Sequence, residues 1–160
     1  MIDPKTPRPA SASATEMSEI VLPQHTNAIG SAFGGAIMSW IDICGAIAAK
    51  RHCGRVAVTA FVDDLAFLAP IRLGDVVRLT SRVTATFTTS LEVAVRVEQE
   101  DATTGARTLC ADAMLTFVAV DREGTPQPVP PLALETEEDR RLSDEAQARR
   151  ARRLERRRAR

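Results

Sequence analysis

Ala32 to Ala49 is an 18-residue run, AFGGAIMSWIDICGAIAA, that contains a single charge, Asp42. A stretch this apolar either crosses a membrane or forms the centre of a core. It reaches the lower length limit for a span. Two glycines open it, however, alanines fill it, and an aspartate near its middle would cost about 2.5–3.5 kcal/mol on insertion. A buried helix accounts for it better. From Gly34 to about His52, residues Trp40, Ile43, Ile47 and Lys50–Arg51 keep a 3.6-residue period. Apolar positions cover most of the circumference, so the helix is expected to be enclosed on nearly all sides. In a chain of 160 residues, enough for one domain, the remainder must do the enclosing.

That remainder reads as strand. Met17–Leu22 is a short strand closed by Pro23, and 24–33 is loop. Val56–Leu65 and Val76–Phe87 are dense in β-branched residues. Leu91, Val93, Val95 and Val97 alternate with Glu92, Arg96 and Glu98, the pattern of a half-solvated strand. Arg107–Val120 is the last long strand, after a turn at Asp101–Gly105, and Pro70, Gly74 and Asp75 punctuate an earlier connection. Strand, helix, then four antiparallel strands in meander spacing give an α+β fold. Residues 1–15, rich in Pro, Ser and Ala, are expected to be a disordered leader and 16–132 the folded domain. After the Pro-rich segment 126–131, residues 133–160 form a charged tail in which Glu137–Arg141 and Glu145–Arg149 support a solvated helix.

Charge and cysteine content narrow the function. Net charge is zero, but the last twelve residues hold eight arginines and one glutamate, so residues 1–148 carry −7. An acidic body is a poor match for nucleic acid. Three cysteines without a CxxC pair indicate a reducing cytosol rather than a disulfide framework, and His25 and His52 lack zinc-ligand spacing. No export signal is evident at the N-terminus. The signatures of serine hydrolases, P-loop NTPases and dinucleotide-binding enzymes are missing.

Asp42 carries the chemistry. Burying an unpaired carboxylate is costly, so one placed in the most apolar helix is expected to have a use. Met38, Ser39, Gly45 and Ala46 share its face, and three of these four are small, which leaves room for a substrate. A competing reading treats Ser39-x-x-Asp42 as a capping box, with the helix starting at Ser39. Gly34 and Gly35 lie where a helix would begin, so their N–H groups could stabilise a developing negative charge. Asn27 could orient water or a carbonyl or simply stabilise a turn, and His25 keeps a histidine base in view. Together these groups suit addition of water to a carbonyl.

The string His25-x-Asn27-x-x-Gly30-x-x-Phe33-Gly34-Gly35-x-Ile37-Met38-x-Trp40-Ile41-Asp42 resembles the acyl-CoA thioesterases of the hot-dog fold. So do Arg51-His52, Val58-Thr59, Phe67-x-x-Pro70-Ile71-x-x-Gly74-Asp75, Thr89-Ser90 and Phe117–Asp121. The resemblance covers residues 16–132 and implies a curved antiparallel sheet wrapped around one long central helix. It implies hydrolysis of fatty acyl-CoA to fatty acid and CoA. Asp42 would be general base or nucleophile, Asn27 would orient water or carbonyl, and the Gly34 and Gly35 amides would polarise the carbonyl. Thr59, Thr89 and Ser90 would lie near the CoA moiety, with Lys50, Arg51 and Arg55 contacting its phosphates. No metal or organic cofactor is implied. Partners would be a homodimer that shares Asn27 and Asp42 across its interface, and a hexamer built as a trimer of dimers. Two departures stand out: Phe87, where the family commonly has glycine, and the arginine-rich tail. Two other functions remain open, a hot-dog hydratase or dehydratase with His25 as base, and a non-catalytic acyl-CoA sensor with a nucleic-acid-binding tail.

Overall fold

The computed structural model describes residues 2–159. The apolar run forms α1, Gly34–Cys53. Its first turn has no side-chain cap. Its end is well determined: Gly54 adopts φ 68° and donates its N–H to the Lys50 carbonyl at 2.8 Å, a left-handed cap that suits glycine. Lys50, Arg51 and His52 occupy the last turn, where cationic side chains complement the helix dipole. Because the helix begins at Gly34, Asp42 is mid-helix and the Ser39 capping-box reading is excluded.

Strands β1 (Arg8–Pro9), β2 (Thr15–Ile20), β3 (Ala57–Phe67), β4 (Val76–Thr86), β5 (Ser90–Glu100), β6 (Arg107–Ala119) and β7 (Leu132–Ala133) complete the fold with a C-terminal helix α2, Glu137–Arg158. Five of them make an antiparallel sheet in the order β2-β4-β5-β6-β3. The expected meander therefore holds only for β4–β5–β6, and β3 pairs with β6 at the far edge. The connection 68–75 makes this possible by crossing the open end of the sheet. Leu68 N–H bonds the Cys110 carbonyl, Ala32 N–H the Ile71 carbonyl, and Gly74 N–H the Val21 carbonyl, while Ile71 is buried.

Alternation divides the sheet's faces. Val77, Leu79, Val83, Leu91, Val93, Val95, Val97, Leu115 and Phe117 form one core with Ile37, Trp40, Ile41, Cys44 and Ala48 of α1. Close approach of helix to sheet depends on Gly45, where a Cβ would lie 3.0 Å from the buried Phe117 ring. The sheet encloses only one side of α1. Met38 and Ile43 are 45% and 47% exposed, and Phe33 and Ile47 are also open, so the expectation of burial on nearly all sides is corrected. One curved five-stranded layer cannot surround a helix, and the uncovered apolar strip continues onto the same side of β3 at Val62 and Phe67.

Both ends of the chain are more ordered than their composition suggests. Within the expected disordered leader, residues 8–15 carry defined structure. Arg8–Pro9 pairs with Leu132–Ala133, Ala10 and Ser13 are buried, and Ser13 Oγ accepts from the Val83 N–H at 2.9 Å. That N–H lies where the β4–β5 register breaks, and a bulge leaves a backbone group needing a partner. Helix α2 opens with a capping box between Thr136 and Asp139 and packs on the sheet face opposite α1, with Ala146 fully buried. It is a helix, as expected, but one of its faces is not solvated. No helix among the described residues is long and apolar enough to cross a membrane.

Candidate active site

Asp42 is half-buried, at the border between the packed and the open faces of α1. The Thr59 hydroxyl, on β3, donates a hydrogen bond to Asp42 Oδ1. This fixes one carboxylate oxygen and leaves the other free to accept a proton or attack an electrophile. Thr59 was expected on the CoA side by resemblance, and its role as an anchor for Asp42 is not legible in the sequence. β3 is doubly bulged around it, with register breaks at Thr59/Phe61 and Val62/Asp64, and bulges re-aim side chains next to sites.

Two turns upstream, Gly34 and Gly35 are the first residues of α1, so their N–H groups have no acceptor within the helix. Neither donates to any other described group. A Cβ on Gly35 would come within 2.6 Å of the Phe33 ring, so glycine keeps this approach open. Beside Gly34 lies a cavity of about 370 Å³, lined by Ser31, Ile37, Phe67, Pro70 and Ile71 among others. It is mostly apolar and suited to a flexible carbon chain.

Asn27 lies in the exposed loop before α1. Its side-chain carbonyl accepts from Ile29 N–H at 3.1 Å and Ser31 N–H at 3.2 Å, the turn-stabilising use of asparagine. Both bonds use the oxygen, so the amide NH₂ remains available as a donor. No described hydrogen bond joins Asn27 to Asp42 within the chain. His25 Nδ1 accepts from the Leu22 N–H at 3.1 Å, and its ring packs edge-on against Trp40, centroids 5.0 Å apart. With that lone pair engaged, the neutral ring carries its proton on Nε2 and is a donor there, not a base. This disfavours the hydratase reading.

The CoA-side candidates are brought partly together. Ser90 pairs with Val118, which pairs with Val58, the neighbour of Thr59, so Thr89–Ser90 and Thr59 share one end of the sheet. Arg51 is engaged elsewhere, donating to the Ala14 carbonyl and Thr15 Oγ1. Arg55 reaches Gln127 Oε1 at 3.4 Å. Of the three expected phosphate contacts, Lys50 alone has no recorded partner among the described residues.

Residues 29–106 match the thioesterase superfamily. The chain is 49% identical over 119 residues to an uncharacterised acyl-CoA thioester hydrolase, YkhA of Bacillus subtilis, covering 74% of this chain and 69% of that protein. The chain is a member of the thioesterase superfamily. Some relatives in this family are much longer: acetyl-coenzyme A thioesterase of Rattus norvegicus is 32% identical, and this chain spans 22% of it. Among solved structures, an apo hexameric acyl-CoA thioesterase superposes with a TM-score of 0.89 at 40% identity, covering 94% of this chain and 97% of that one. The acyl-CoA hydrolase of Staphylococcus aureus, in an asparagine-to-alanine variant with coenzyme A, gives 0.90 at 36% identity, covering 96% and 92%. Companion structures of that hydrolase carry an aspartate or a threonine replaced by alanine. The expected hot-dog architecture is the fold this family shares with the structure described above.

Proposed function

We propose that this chain hydrolyses acyl-CoA thioesters to a carboxylic acid and CoA thiol, with Asp42 as general base or nucleophile. The observation that carries the proposal is the Thr59 hydroxyl on Asp42 Oδ1. It engages one carboxylate oxygen of a half-buried side chain and leaves the second without a hydrogen-bond partner among the described residues, available to a substrate. In the base route the free oxygen takes a proton from water as that water adds to the carbonyl. In the nucleophilic route it attacks the carbonyl itself, and water then cleaves the anhydride. In both, negative charge develops on the carbonyl oxygen and the C–S bond breaks to release the thiolate. The Gly34 and Gly35 N–H groups, at the positive end of α1, suit that oxygen. Asn27 suits orientation of water or carbonyl through its unused NH₂. The cavity beside Gly34 suits the acyl or pantetheine chain, and Thr89, Ser90 and Lys50 the CoA moiety. The chemistry asks for no cofactor. In the Staphylococcus aureus hydrolase, the asparagine, aspartate and threonine replaced by alanine follow one another at the chain spacing of Asn27, Asp42 and Thr59.

The active unit in this proposal is a homodimer. The apolar strip along α1 and β3 is too continuous to remain in water, and covering it with a second copy would complete the enclosure of α1 and bring Asn27 of one subunit to Asp42 of the other. Hexameric relatives support assembly of three such dimers, and three buried free cysteines support a cytoplasmic setting. Asp42→Ala, assayed with a thiol-trapping dye on acyl-CoA esters of two to sixteen carbons, should lose at least a hundredfold in kcat/KM, ~2.7 kcal/mol. A loss under tenfold on every ester rejects the assignment.

A further inference from the structure

The two departures from the family pattern, Phe87 and the arginine-rich C-terminus, touch each other. The Arg150 guanidinium carbon stands 4.5 Å from the Phe87 ring centroid. Nearby, two ion pairs tie α2 to the sheet. Arg149 forks onto Glu92, Nε to Oε2 at 2.9 Å and Nη2 to Oε1 at 2.8 Å, and Thr84 Oγ1 adds a bond to Oε1 at 2.8 Å. Arg153 Nη1 donates to Asp63 Oδ1, and Thr116 Oγ1 to Asp63 Oδ2 at 2.8 Å. Side-chain exposure is 2% for Glu92, 12% for Arg149, 5% for Asp63 and 11% for Arg153. These are not solvated surface charges.

Their position in the sheet gives them meaning. Thr84 and Asp63 are the residues that fall in the register breaks Val83/Ala85 of β4 and Val62/Asp64 of β3. Asp63, the extra residue of β3, pairs directly with Arg153, and Thr84, the extra residue of β4, bonds the Glu92 carboxylate that Arg149 holds. Phe61, at the first β3 break, also lies under Arg153, 5.5 Å from ring centroid to guanidinium carbon. The β3 segment pinned in this way is the one that carries Thr59, and Thr59 holds Asp42.

We infer that Arg153, seconded by Arg149, is a positioning residue for the reaction: α2 braces the bulged part of β3 from the face opposite α1, and so sets the Thr59 hydroxyl on the Asp42 carboxylate. The inference rests on Asp42 being the reacting group. It assigns these two arginines to neither CoA phosphate nor nucleic acid, since their guanidinium groups are already engaged by buried carboxylates.

The test uses the full-length chain with Arg153→Ala and Arg153→Lys, alone and combined with Thr59→Ala, and with Arg156→Ala as an exposed control on the same helix. Steady-state kinetics would be read beside amide hydrogen exchange of residues 57–67. Arg153→Ala should lower kcat roughly tenfold while KM for acyl-CoA stays within about twofold of wild type, and Arg153→Lys should recover part of the loss. In the Thr59→Ala background the same change should cost little more, because the two act through one contact. Exchange in β3 should rise in Arg153→Ala and not in Arg156→Ala. A raised KM with kcat intact would mean phosphate binding, and additive losses with Thr59→Ala would mean an independent role; either overturns the inference. Unchanged exchange in β3 overturns it whether or not thioester is hydrolysed. Silence of wild type towards every acyl-CoA would instead count against the hydrolase reading alone.

Discussion

Asp42 and Thr59 are 17 residues apart in the chain and meet only because the C-terminal end of α1 turns back into β3. A carboxylate held by one hydroxyl has its rotation about χ2 restricted, and a reacting group displaced by an ångström can lose about a hundredfold in rate. Thr59→Ala is therefore expected to reduce kcat by roughly ten- to a hundredfold with little change in KM, whereas Thr59→Ser keeps most activity. Equal activity in wild type and Thr59→Ala would show that the bond has no catalytic consequence. His52 is a residue of another kind. It is fully buried, its Nε2 donates to the Pro130 carbonyl at 2.9 Å, and its Nδ1 has no partner. Burial, and then the nearby Arg8 charge, lower its pKa from 6.5, against the pull of the Pro130 hydrogen bond. Its unfolded form thus binds a proton at a higher pH than its folded form. The stability this linkage represents is present above the unfolded value and is lost as pH falls through the folded one. Thermal melts from about pH 7 to about pH 5 should show Tm falling in wild type and falling less in His52→Gln.

Among the elements, α1 is the least tolerant of added volume. It approaches the sheet through Cys44, Gly45, Ala48 and Ala49, and the Phe117 ring that Gly45 faces is fully buried among Leu91, Val95 and their neighbours. Gly45→Ala improves helix propensity by up to about 1 kcal/mol, but its Cβ forces the helix away from the sheet at a cost of about 1–3 kcal/mol. The overpacking term wins, and urea denaturation should report a net loss of stability. An unchanged or raised midpoint would show that the ring can yield. Helix α2 rests on different physics. Its sheet-facing side carries Asp139, Leu142, Ala146, Arg149 and Arg153, so it holds on largely through paired charges. Removing one partner of such a pair leaves the other charge buried and unsolvated.

In the whole molecule, the exposed apolar strip and the distance in sequence between Asn27 and Asp42 bear on assembly. If each site combines the two residues from different subunits, mixing Asn27→Ala with Asp42→Ala protein and allowing exchange should recover roughly a quarter of wild-type activity. Mixed dimers would then hold one intact site and one doubly altered one. No recovery, with exchange verified by mass, would place both residues of a site in one chain. The arginine-rich end also changes character at this scale. Arg149 and Arg153 neutralise acids of the body, while Arg152, Arg156, Arg157 and Arg158 stay exposed, so two of the eight arginines in this segment are paired internally and at least four face solvent.

What could be read in advance follows the range over which each signal acts. An apolar run with a single acid marks α1 and singles out Asp42 because helix period and capping depend on residues within a turn or two. Alternation marks β5 for the same reason, and Gly54 and the Pro70–Asp75 segment mark where elements stop. The family string around Asn27 and Asp42 was likewise local. Tertiary structure alone decided that β3 pairs with β6, that three register breaks fall at one level of the sheet, and that Thr59 meets Asp42. It also decided that both chain ends pack, through Ser13 onto Val83, 70 residues away, and Arg153 onto Asp63, 90 residues away. Register and bulges are chosen by the balance of contacts between distant segments, and a charged face on α2 reads as solvated until the carboxylates opposite it are known to be buried.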